Sequence, residues 1–119
     1  MANTFTGAVG FSWNNGRVSV TQSTDLTSAP TGNQSIQNIQ TIGTSAEAIV
    51  VGDVVPGFIH FKNLDATNYV DIGAENTAVT PIICRLAAGQ AVLLPTTNAS
   101  WWAKANTAAC DLLVLACDA

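Results

Sequence analysis

The chain has 119 residues, of which 10% are charged, and its formal net charge is −4. That length suits one domain with one core, burying roughly two thirds of the surface its unfolded chain exposes. Arg17, Lys62, Arg85 and Lys104 are the only basic residues, too few to neutralise a phosphate backbone or dock on an anionic membrane, so neither nucleic acid nor membrane is an expected partner.

The first predicted element is a hairpin. Phe5 to Trp13 and Arg17 to Thr21 flank Asn14-Asn15-Gly16, and Asn-Gly in a tight loop favours a hairpin because its central residues take positive φ. Gln22 to Gln34 is rich in Ser, Thr, Asp, Pro and Gly, which predicts an irregular loop or arm. Ser35 to Ile42 spaces Ile36, Ile39 and Ile42 three apart, a period that suits neither a clean strand nor an amphipathic helix. An edge strand with a bulge, or an arm lying on a neighbouring molecule, accommodates it.

Ala46 to Val51 reads as a short strand, and Pro56-Gly57 as a turn. Strands at Phe58 to Lys62 and Tyr69 to Ile72 bracket a loop from Asn63 to Asn68. Pro81 to Leu86 and Ala91 to Leu94 flank Ala87 to Gln90, a hairpin loop with Gly89 at its left-handed position. Ser100 to Ala105 and Cys110 to Ala116 form a terminal pair around Asn106 to Ala109. The sum is about eight to ten short strands at roughly 8–12-residue spacing, the signature of an all-β chain folded as a single antiparallel β-sandwich, jelly-roll-like in topology. The expected organisation is an N-terminal hairpin over 1–21, a polar loop or arm over 22–42 and a sandwich body over 43–119.

The sequence offers little for chemistry. His60 is the sole histidine and alternates with Ile59 and Phe61, a setting that suits face packing better than catalysis. No G-x-S-x-G elbow, phosphate-binding glycine loop or C-x-x-C pair occurs. The three cysteines, Cys84, Cys110 and Cys117, lie within apolar strand patterns and read as free thiols, at least two of them buried. Cys110 and Cys117, seven apart on one strand, fall on opposite faces. Asp53, Asp65, Asp71 and Glu75 do not follow the ligand spacing of a calcium loop, and Asp65 reads instead as a turn residue capping its own loop, with Asn63 and Asn68 helping. No catalytic, cofactor-binding or metal-binding residue is assigned, and no small-molecule substrate is expected.

Trp101-Trp102 is different. Adjacent strand residues point to opposite faces, so one indole enters the core while the other meets a loop, another subunit or a sugar. With Ile36, Ile39 and Ile42, both tryptophans are candidate interface residues. The uncharged Thr, Asn, Ser and Gln surface is poor at repelling copies of itself, which favours an assembled state.

Asn63, Leu64, Asp65, Thr67, Asn68 and Tyr69, then Leu86, Ala88 and Gly89, then Ala103, Lys104, Ala105, Thr107 and Ala108 give an order of turns and strands that resembles small β-sandwich virion proteins of tailed bacteriophages. The resemblance covers roughly half the chain. It implies a non-enzymatic capsid cement or decoration protein, a homotrimer that contacts a major capsid protein and reaches the virion from the host cytoplasm. A tail-fibre or carbohydrate-binding module, or a head-to-tail or tail accessory protein, is the alternative. The N-terminus lacks the basic and apolar regions of a secretory signal, and no apolar run approaches the roughly 20 residues of a membrane span.

Overall fold

A computed structural model describes residues 5–14, 16, 19–28, 35–52, 54, 56–74, 82–96 and 100–118. The chain forms two compact units, Met1–Gly32 and Asn33–Ala119.

The first unit is a two-stranded antiparallel hairpin of β1 (Phe5–Asn14) and β2 (Ser19–Ser28), in register from Phe5 opposite Ser28 to Asn14 opposite Ser19. Gly16 takes φ +84°, as the Asn-Gly signal requires, and residues 15, 17 and 18 lie outside the described residues. The second strand also runs on through Gln22 to Ser28, where the composition predicted an irregular loop. Thr21, Gln22 and Ser23 are exposed, and an exposed strand needs no apolar residues, only a partner ladder and tolerant side chains such as Thr. Of the expected arm, only 29–34 lies outside the described residues.

The second unit is the sandwich. One sheet has the order β3 (Ser35–Ile42), β10 (Cys110–Asp118), β5 (Pro56–Asn63), β8 (Ala91–Pro95); the other has β4 (Glu47–Ala48), β9 (Trp102–Ala105), β6 (Val70–Gly73), β7 (Ile82–Leu86). All pairs are antiparallel, and they nest: β3 with β10, β4 with β9, β5 with β8, β6 with β7. A long hairpin folded over on itself produces this order, which is the jelly-roll arrangement of two four-stranded sheets.

The nesting corrects two expected hairpins. β7 and β8 lie in different sheets, as do β9 and β10, so Ala87–Gln90 and Asn106–Ala109 are arches that carry the chain across the sandwich. The turn chemistry is nonetheless as read: Gly89 takes φ +77°, the Gln90 N–H donates to the Ala87 carbonyl at 3.0 Å, and the Ala87 N–H donates to Gln90 Oε1 at 2.9 Å. Turn residues report that the chain reverses, not which sheet receives the next strand. The predicted turn at Pro56-Gly57 is the start of β5, where a proline costs the ladder least. The predicted strand from Ala46 to Val51 shrinks to Glu47–Ala48, because the Gln40 side chain takes the Ala48 carbonyl (2.8 Å) and the Val50 N–H (2.9 Å).

Ser35–Ile42 is a regular edge strand with no register shift against β10. Its isoleucines divide by parity: Ile42 is buried, Ile36 half-buried against the core, and Ile39 faces outward at 57% exposure. Both sheets supply the core. Ile59, Phe61, Leu112 and Val114 from one meet Val70, Ile72, Ala103 and Ala105 from the other, and Trp101 stands edge-on to Phe61 with ring centroids 5.8 Å apart.

Candidate interaction surface

Reactive side chains in the sandwich are dispersed. His60 lies on the outer face of β5, across from Leu115 on β10 and Leu93 on β8. Burial, and secondarily the Lys62 charge, lower its pKa from the usual 6.5, which favours the neutral ring. Cys110 is buried, whereas Cys84 and Cys117 are half-buried, so only one of the thiols expected inside is fully enclosed. Burial pushes all three thiols upward in pKa, which disfavours the nucleophilic thiolate. Cys110 faces the core and Cys117 the outer side of β10, on opposite faces as the spacing required. Among the described residues no group of three or more His, Cys, Asp or Glu could hold a metal ion; Asp53 and Glu75 lie outside them.

The arch from Asn63 to Tyr69 is held by bonds within itself and to neighbouring loops, with Thr107 Oγ1 donating to Asn68 Oδ1 and the Tyr69 N–H to Asn106 Oδ1. The Asp65 carboxylate accepts the Thr67 and Asn68 N–H groups at 2.9 and 2.6 Å, and the Asn68 and then Thr67 bonds hold its pKa below the usual carboxylate value. Asn63, fully buried, donates through Nδ2 to the Asn68 and Leu86 carbonyls at 2.8 and 3.0 Å and accepts the Asp65 N–H at Oδ1. The Asp65 carboxylate caps its own loop, as its position in the sequence anticipated.

The outer face of the β3-β10-β5-β8 sheet carries several large apolar side chains. Three of its cross-strand rows are Ile39–Leu113–Lys62–Ala91, Gln37–Leu115–His60–Leu93 and Ser35–Cys117–Phe58–Pro95, and the row beside the first, Thr41–Asp111, carries a carboxylate. Leu113, Leu115, Leu93, Phe58 and Cys117 are half-buried there, with Lys62 as the one charge in those rows. An antiparallel sheet facing water normally alternates apolar inward with polar outward, and this face departs from that pattern.

The outer face of the other sheet is mixed: it carries a charged cluster, while Ile82 and Ile83 of β7 are 48% and 49% exposed. Asp71 lies between Lys104 and Arg85. Arg85 grips it with two bonds of 2.6 and 3.0 Å and lies 3.9 Å over the Tyr69 ring. Trp102 projects from this face, half-buried, with Ala48 and Gly73 as its cross-strand neighbours.

The five candidate interface residues therefore separate. Trp101 and Ile42 are core residues, 6% and 0% exposed, and have no side-chain surface to offer. Ile36 packs partly against the core, Trp102 belongs to the outer face of the other sheet, and Ile39 alone joins the apolar rows. Leu113, Leu115, Leu93 and Phe58 were missed. Their signal was present in the runs Leu112-Leu113-Val114-Leu115 and Val92-Leu93-Leu94, since consecutive apolar residues on a strand place apolar groups on both faces. No family model matches the sequence, and neither a curated protein nor a solved structure matches the chain.

Proposed function

We propose that the chain is a non-enzymatic assembly protein that docks through the apolar outer face of the β3-β10-β5-β8 sheet. The observation that carries this reading is the set of rows running from Ile39 and Gln37 to Ala91 and Leu93, which hold one charged side chain, Lys62. The low charged fraction, 10%, supports it, because such a surface tolerates close neighbours.

The resemblance of Asn63–Tyr69 and Ala103–Ala108 to phage virion proteins supplies the narrower reading: a capsid cement or decoration protein that binds a major capsid protein and stabilises the phage head. Its action is mechanical. Apolar area removed from water at each docked copy, at about 25 cal/mol per Å², holds neighbouring shell subunits together. The test is a protein inventory of purified particles from infected cells, with copy number. Stoichiometric presence on the shell is the expected result, and particles that lack the chain refute the virion reading.

A further inference from the structure

The sandwich has four sheet edges, and three of them carry features that discourage strand pairing. β4 is two residues long. β8 is short and ends at Pro95. β7 carries Arg85, which is engaged with Asp71, and its ladder with β6 is interrupted by a register shift. β3 has none of these: eight residues, Ser-Ile-Gln-Asn-Ile-Gln-Thr-Ile, without charge, proline or bulge. Among the described residues no backbone hydrogen bond reaches its outer edge. The segment after β4 meets β3 through the Gln40 amide, not through its backbone. Ile39 at 57% and Val50 at 54% exposure lie along this border. An open groove of about 440 Å³, lined by Gln37, Asn38, Ile39 and Leu113, lies over β3 and its paired strand β10.

We propose that β3 pairs antiparallel with β3 of a second copy of this chain, joining two four-stranded sheets into one of eight strands. Free main-chain groups on an edge recruit an extended strand, and several features select this chain itself. A neutral strip lets two copies of an acidic protein, net charge −4, approach without like charges at the contact. Antiparallel pairing keeps opposing residues on one face, and a register centred on Ile39 places Ile39 beside its own copy and Gln37 beside Thr41. Ile36 then falls beside Ile42. The row Ala91–Lys62–Leu113–Ile39 continues into its mirror row, so pairing extends the apolar face instead of covering it. Such self-pairing is a two-fold operation and therefore departs from the trimer implied by the phage resemblance. It builds on the assembly reading in purpose, while its geometry rests on β3 alone.

Sedimentation velocity of the full chain under reducing conditions, over a range of concentrations, tests it. The wild type forms a two-copy species. Ile39→Lys, a change at an outward side chain, weakens the pairing by about 100-fold, and Ala66→Lys on the β5–β6 arch leaves it intact. Under mild oxidation, Ile39→Cys cross-links to its copy, since directly opposed strand positions come within reach of a disulfide. Gln37→Cys does not, and the wild type is the control for its native thiols. A chain that stays monomeric or forms trimers overturns the proposal, as does a folded Ile39→Lys that still pairs. If Ile39→Lys fails to fold, the absence of an Ile39→Cys cross-link overturns it. The particle inventory is independent of this result, so either reading can fail alone.

Discussion

On β10 the outward residues include Leu113, Leu115 and Cys117; on β9, second from the edge in the other sheet, they are Trp102 and Lys104. Inward, the two strands do the same work: Leu112, Val114 and Ala116 on one, Ala103 and Ala105 on the other, all fully buried. The outer positions differ: the β9 sheet places Lys104, Asp71 and Arg85 there beside Trp102, where β10 places leucines. The leucines outside β10 have no counterpart on β9, and the proposed docking would account for them.

The largest effect that probes this contrast is on docking. Leu115→Asp places a charge in the middle row of the apolar face, between Gln37 and His60. Under the proposed shell-binding reading it weakens co-sedimentation with undecorated shells by about 100-fold, the loss typical of a central contact residue, in a variant whose circular dichroism remains native. Lys104→Glu reverses a charge on the other face and should leave binding within about threefold, as for a position outside the contact. Equal losses in the two variants would mean that the faces do not differ in role.

A smaller effect separates the faces by stability. Arg85 is half exposed, at 51%, and binds an Asp71 that is 13% exposed. Arg85→Ala removes a bidentate pair and the contact over Tyr69, and with solvent screening the expected shift of the denaturation midpoint is small. A large shift would make that face part of the folding core and undo the comparison.

How far the sequence revealed these faces follows from what each signal encodes. Local signals were legible: Gly89 in its left-handed turn, Asp65 capping its own arch, and the strand alternation that buries Ile59 and Phe61. Pairing was not, since Ala87–Gln90 looks the same whether the chain returns to its own sheet or crosses to the other. Asn63 shows why. Its amide ties the Asn68 and Leu86 carbonyls, a link between β5 and the end of β7 that no spacing rule contains. The apolar face was half legible. The leucine runs implied two apolar faces, but only the order β3-β10-β5-β8 shows that Ile39, Leu113, Leu115 and Leu93 share one of them. Trp101 and Trp102 were rightly set on opposite faces, and the structure decides which is inside.

The smallest expected effect is on pH. His60 occupies the middle row of the apolar face, with Leu115 and Leu93 opposite, Leu113 and Cys117 beside them on β10, and Phe58 and Lys62 on its own strand. No carboxylate occupies these neighbouring positions to hold a proton on the ring, and burial followed by the Lys62 charge lowers its pKa below 6.5. The unfolded chain thus binds the proton more tightly than the folded one, and folding is favoured by deprotonation. The resulting stability is fully present above pH 6.5 and is lost as pH falls through the lower folded value. Docking should weaken in the same direction, because an imidazolium carried into an apolar contact must shed its water. Denaturation and shell co-sedimentation measured between pH 7.5 and pH 5 should both decline for the wild type, while in His60→Gln the part of the decline due to this ring disappears. An unchanged pH profile in that variant would mean that the ring titrates in the folded protein as it does in water, and hence that the centre of this face is open to solvent.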